Sequence, residues 1–255
     1  MDLQRSEQLR ELGIKVALGL ATFEIDESHP SWPQIRRLAE GWGSVDIITT
    51  QFTSGELAGA DRFQLMPTWH SGYPQPEEDF GYLRETYDLS AYCPSCDIGK
   101  AQKAPFRMKS EPRWGKKNVL QLNWVFDEFF VHPRVWKDAF APLGIGCSVV
   151  VEHRTGNELK TVVQLNIVEH AKSPLATKDY PAELCTECGR KKYLPISRGA
   201  FPPFQGDTSI LLCRSQESFG SGSSAWNATL ADKKVYTACQ RHDLAGVRFI
   251  PMSAS

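Results

Sequence analysis

The sequence has no excess charge of either sign. Its 29 Lys+Arg and 30 Asp+Glu leave a formal net charge of −1, so no global field directs it to nucleic acid or to a membrane surface. No apolar run is long enough to span a bilayer, which predicts no membrane role. The first residues, Met1-Asp2-Leu3-Gln4-Arg5-Ser6-Glu7, are charged and lack the apolar segment of a secretory signal. There is no P-loop, no nucleophile elbow and no His-x-x-x-His pair. A ready-made catalytic constellation is therefore missing. With 255 residues, 41% hydrophobic and 23% charged, the chain is an ordinary globule with enough length for one large domain or two modest ones.

Cysteine is scarce but patterned. Seven are present, and four form two Cys-x-x-Cys pairs, Cys93-Pro94-Ser95-Cys96 and Cys185-Thr186-Glu187-Cys188. That spacing lets one turn of backbone aim both thiolates at a single ion. Two such turns supply the four thiolates of a closed tetrahedral zinc site, which holds a fold and leaves no open position for chemistry. A redox dithiol and plain buried thiols are the alternatives. Redox pairs usually sit at a helix start, whereas Asp97-Ile98-Gly99-Lys100 and Gly189-Arg190-Lys191-Lys192 read as turns. The long separation, residues 97–184, means that a shared zinc would tie distant parts of the chain together. Cys147, Cys213 and Cys239 read as reduced thiols. Together these cysteines favour a reducing cytoplasm.

Residues 1–90 read as an α/β segment. A short helix over 2–12 stops at Gly13, and alternation predicts a strand over 15–25. Ser31-Trp32-Pro33-Gln34 has capping-box spacing for a helix to about Glu40, and Val45–Phe52 reads as a strand. A short strand over 63–66 and a proline-rich aromatic loop, Trp69–Asp79, follow. That loop is a candidate binding surface. A helix over 80–87 leads to the first cysteine pair.

Residues 91–255 read as the double Cys-x-x-Cys α+β region, packed with the N-terminal part as one unit. Strands are predicted at 119–126, 146–152, 159–167, 209–214 and 247–250, with helices from His132-Pro133 to Phe140 and over 233–242. The strands at 146–152 and 159–167 should pair as a hairpin. A weak internal repeat is visible: each cysteine pair is followed by a strand, a helix, a glycine turn and a strand. The resulting fold class is α+β, with mixed or antiparallel sheets, short helices and two pseudo-repeated modules joined at a four-cysteine zinc site.

Lys100, Lys103, Arg107, Lys109, Arg113, Lys116 and Lys117 form a basic stretch with Trp114 interleaved, which suits a nucleic-acid-binding or regulatory zinc protein. A solvated loop paired with acidic neighbours is the simpler reading. His70, His132, His153 and His170, with Asp127 and Glu128, are the candidates for acid–base chemistry, His70 near the aromatic loop being the starting point for an enzyme reading. Each histidine also has an ordinary structural explanation, as do Cys239 and His242.

Cys93-Pro94-Ser95-Cys96, Cys185-Thr186-Glu187-Cys188-Gly189-Arg190, the pattern from Leu120 to Ile145 and Leu244-Ala245-Gly246-Val247-Arg248-Phe249 resemble the double-CxxCG family of bacterial proteins. That family is known from myxobacterial paralogues and grouped with toxin immunity proteins. The resemblance spans about residues 90–251. The first pair departs from the pattern, with Asp97 where glycine should follow. The resemblance implies a non-enzymatic cytoplasmic protein that neutralises a toxin, with Cys93, Cys96, Cys185 and Cys188 as ligands of one structural zinc.

Overall fold

The computed structural model describes residues 2–206 and 209–254. The chain divides into two units, residues 1–49 and 50–255. In the first, helix α1 (Leu3–Glu11) starts at Asp2, whose carboxylate accepts the Arg5 N–H at 2.8 Å, and it buries Ser6 and Leu9. Helix α2 (Trp32–Gly41) carries Pro33 in its first turn, where the missing N–H costs nothing. Ser31 makes no side-chain cap, so the expected capping box is not formed. Residues 15–25 and 45–52 correct the strand–helix–strand expectation, because neither segment joins a ladder. Leu18, Leu20, Val45 and Ile47 stand exposed. Alternation creates an apolar face, but a strand is fixed only by a neighbour that takes its N–H and C=O groups.

The second unit is α+β, as expected. A capping box between Thr53 and Glu56 opens helix α3 (Ser54–Gly59). Strands β1 (Arg62–Pro67), β2 (Tyr87–Asp88), β3 (Ala101–Gln102), β4 (Arg107–Met108), β5 (Val119–Leu120), β6 (Phe130–Val131) and β7 (Cys147–Glu152) come first. Helix α4 (Tyr82–Thr86) precedes β2. Then follow β8 (Glu158–Leu165), β9 (Ala182–Leu184), β10 (Lys191–Tyr193), β11 (Leu212–Phe219), β12 (Trp226–Asp232) and β13 (Val247–Pro251). Helix α5 (Pro133–Val135) runs on through a π turn (Trp136–Phe140) and a 3-10 turn (Ala141–Leu143), and α6 (Lys233–Arg241) lies between β12 and β13. One sheet has the order β13-β1-β12-β11-β10-β9, a second β4-β7-β8-β6-β5, and β2-β3 form a separate pair.

The repeat expected from the sequence is met in part, because the second copy opens with β12 and not with the strand expected over 209–214. β6 and β7 are both antiparallel to β8, which lies between them. β12 and β13 are both antiparallel to β1, which lies between them. Each copy is thus a split β-α-β unit, two parallel strands joined by a helix with an antiparallel strand inserted. The inserted strand follows its unit in the first copy and comes from far upstream in the second.

The two helices share one core. Ala139 and Phe140 from the α5 segment and Val235 and Cys239 from α6 are buried with Phe63, Ala231, Val131 and Leu165 from both sheets. The period of two in a strand sends alternate residues elsewhere. Phe130, beside Val131, packs with Phe106, Val150 and Val162, and Leu230, beside Ala231, packs with Phe201, Cys213 and Phe219.

Some predicted boundaries move. The strand expected over 119–126 stops at Leu120 as β5, and the chain turns where Trp124 adopts a φ of 67°. The strand expected over 209–214 begins at Leu212 and continues to Phe219. β12 carries no strong strand composition in its Asn227-Ala228-Thr229 centre and was not expected.

Arg214 on β11 joins the two sheets. Its guanidinium meets Glu128 at 2.5 Å and Asp127 at 3.1 Å, and its Nε donates to the Ile167 carbonyl at 2.7 Å. Gln164 on β8 donates to the second Glu128 oxygen at 2.9 Å. Glu128 is only 3% exposed. Removing the cation strands a buried carboxylate, so Arg214→Ala should cost about 3–5 kcal/mol. A lowered urea midpoint at unchanged slope would show it. Lys160→Ala, at an exposed pair with Glu158, should cost less than about 1 kcal/mol.

Candidate metal centre

Two tight turns build the site. Residues 89–100 connect β2 to β3, which pair as Tyr87 with Gln102 and Asp88 with Ala101. Residues 185–190 connect β9 to β10, which pair as Leu184 with Lys191. Within the turns the backbone repeats itself. Cys93 N–H donates to Ile98 O at 3.0 Å and Cys185 N–H to Arg190 O at 2.9 Å. Asp97 N–H donates to Cys93 O at 2.8 Å and Gly189 N–H to Cys185 O at 2.9 Å. The residue after the second cysteine is left-handed in both, with φ of 66° at Asp97 and 70° at Gly189. Aspartate tolerates that region better than most residues, so Asp97 does the conformational work of the glycine in the second turn.

The turns meet at their cysteines. Cys93 Sγ lies 3.8 Å from Cys185 Sγ, and Cys96 Sγ lies 3.6 Å from Cys188 Sγ. All four sulfurs fall within 4.8 Å of one another. These separations are far longer than the roughly 2.05 Å of a disulfide, and all seven cysteines are free thiols. Four sulfurs placed about 2.3 Å from a central zinc would be roughly 3.8 Å apart. The donor set therefore fits a tetrahedral metal ion.

The environment is uneven. Cys93 and Cys96 are buried, Cys185 is half-buried and Cys188 is exposed. Burial pushes the Cys96 thiol up to about 12. The Cys185 thiol is lowered to about 7, first by the Cys188 backbone N–H and then by that of Glu187. A divalent ion among the sulfurs would favour the thiolate form of all four.

Several contacts lock the two turns together, and none is visible in the sequence. Arg190 Nη1 donates to Ile98 O at 2.8 Å, reaching from the second turn to the first. Asp97 Oδ2 accepts from Lys100 Nζ at 2.7 Å and from the Ala225 N–H at 3.2 Å. Lys192, 3% exposed, donates its ammonium to the carbonyls of Gly222 and Ser224. The Gly220–Ser224 loop is thereby held by Lys192 of β10, and the residue after it, Ala225, by Asp97 of the first turn. Gly99, at φ 100°, has no room for a side chain, because a Cβ would collide with the Ala91 carbonyl and Arg190 Nη1.

No protein-family model matches this chain, and no curated protein matches it either.

The remaining candidate residues are dispersed. Lys100 is committed to Asp97 and lies over the Tyr87 ring at 5.6 Å. Trp114 donates its indole N–H to Thr161 O at 2.9 Å and packs against Trp69 and His132. Arg107 lies in β4, while Lys103, Lys109, Arg113, Lys116 and Lys117 are exposed. His70 is exposed and bridges to Gln121, and His132 caps α5 by accepting the Arg134 N–H at 3.2 Å. His170 lies near Ser215 O at 3.3 Å. His153 is half-buried, with its backbone N–H on Met108 O. Asp127 and Glu128 are both taken by Arg214. Cys239 is buried in the core, whereas His242 is exposed just past α6.

Gly99→Ala should cost about 2 kcal/mol or more, since strain and collision add. Gly189→Asn should stay within about 0.5 kcal/mol, since nothing lies within 4 Å of that Cβ position and asparagine accepts the conformation. Denaturant midpoints of the metal-loaded variants check both.

Proposed function

We propose that Cys93, Cys96, Cys185 and Cys188 hold one structural zinc ion, and that the chain is a non-enzymatic binding protein that neutralises a bacterial toxin. The observation that carries the metal part is the convergence of four sulfurs within 4.8 Å. All-thiolate tetrahedral sites select zinc or iron, and a closed set of four protein ligands serves structure rather than catalysis. When bound, the ion would supply charge neutralisation and a cross-link between the two turns, with Arg190 and Lys100 nearby to offset the surplus negative charge of four thiolates.

The immunity assignment rests on the resemblance to the double-CxxCG family. The matched conformation of Asp97 and Gly189 supports it, since the departure from the family pattern then leaves the turn unchanged. A binding role also fits the use of Asp127 and Glu128 in an ion pair rather than beside a free histidine. Seven free thiols suit a reducing cytoplasm. No helix among the described residues is long and apolar enough to cross a membrane.

Elemental analysis of the purified chain should give one zinc per molecule and colourless protein. Cys93→Ser should lose the metal, and Cys185→Ser should lower the melting temperature of the whole protein, because binding and folding are coupled. Metal-free protein with seven freely titrating thiols would overturn the zinc. Co-expression with the products of neighbouring genes should reveal one whose toxicity the chain suppresses and with which it co-purifies. Failure of every such pair would overturn the immunity role.

A further inference from the structure

The proline-rich aromatic loop ends in a cluster of rings. Tyr73, Phe80 and Tyr82 surround Trp124, with centroid distances of 4.4, 4.7 and 6.2 Å. Tyr82 is buried beneath, while Tyr73 is 37% and Phe80 51% exposed. Large aromatic rings held in solvent are costly to leave uncovered.

The backbone holds these rings in place. Asp79 and Phe80 are consecutive left-handed residues, with φ of 50° and 52°, and Trp124 is left-handed at 67°. Aspartate tolerates this region, whereas for Phe80 and Trp124 it costs about 1–3 kcal/mol each. The loop is also pinned at its base, by Gln75 N–H to Arg107 O at 2.9 Å and Tyr82 N–H to Pro76 O at 2.8 Å.

The loop tip is acidic, with Glu77, Glu78 and Asp79 consecutive and flanking Phe80, while Arg107 lies at the base of the loop and Lys103 acts on Asp88. Glu78 and Asp79 are exposed, and among the described residues neither has an ion-pair partner. The chain as a whole is near neutral, so this acidity is local. Each of the three rings, Tyr73, Phe80 and Tyr82, lies against Trp124.

We propose that Tyr73, Phe80 and Trp124, edged by Glu78 and Asp79, form the docking surface for a basic protein whose arginines lie over the rings. A planar guanidinium stacks on aromatic faces and pairs with carboxylates in one geometry, which an ammonium does not match. This deepens the binding reading given above and rests on it.

Calorimetric titration of the full chain with a nona-arginine peptide tests the surface. Binding is expected, weakening steeply with salt, and a nona-lysine peptide should bind at least about fivefold more weakly. Phe80→Asn keeps the left-handed backbone and should weaken the arginine peptide about tenfold with an unchanged melting temperature. Glu78→Gln with Asp79→Asn should flatten the salt dependence. Equal affinity for both peptides, or undiminished binding by Phe80→Asn, would overturn the surface. So would saturable binding of choline at peptide-like affinity, or a dimer that Phe80→Asn dissolves. A cognate partner that Phe80→Asn captures as well as wild type would overturn this surface and leave the binding function standing. Loss of the zinc or immunity result with peptide binding intact would do the reverse.

Discussion

Convergence of two cysteine turns is the constraint on which the second unit depends. The turns are distant in sequence, and closing so long a loop costs entropy that local hydrogen bonds cannot offset. Four sulfurs within 4.8 Å, with Arg190 of the second turn donating to Ile98 of the first, make that closure specific. The first turn caps β2-β3, a separate two-stranded pair that is not stable alone, and the second caps β9-β10 at the edge of the six-stranded sheet. The β2-β3 pair therefore depends on the packing around the cysteines.

Beyond the turns, the architecture is two split β-α-β units sharing a helical core. Their helices bury Phe140, Val235 and Cys239 together, so neither sheet has a complete inner face without the other. Arg214 reinforces that arrangement by carrying charge from one sheet to carboxylates beside the other. Ion triads of this kind add little net stability over an apolar filling, but they are costly to break on one side only.

That use of the carboxylates bears on function. The residues that resemble an acid–base pair in sequence are consumed by structure, and the histidines are spread over separate elements. What the surface offers is an aromatic cluster with an acidic rim, and a basic stretch whose Lys100 and Trp114 are partly engaged internally.

Much of this was legible from local chemistry. Cys-x-x-Cys spacing marks the two cysteine turns because two intervening residues place both sulfurs on one side of a turn. Strands β1, β7, β8 and β13 and helices α2 and α6 are readable in the sequence near their observed positions, β8 by its alternation, although the capping box expected for α2 does not form. Sequence alone also suggested the repeat. Tertiary structure decided the rest. Residues 15–25 and 45–52 have strand alternation but no partner, so they form none. Trp124 ends an otherwise persuasive strand by turning left-handed. Asp97 takes the left-handed conformation that Gly189 takes in the other turn, and its side chain adds bonds to Lys100 and Ala225. The inserted strands β8 and β1, the Arg214 triad and the meeting of the four sulfurs all join residues far apart in the chain, and such pairings are set by global packing that no local pattern encodes.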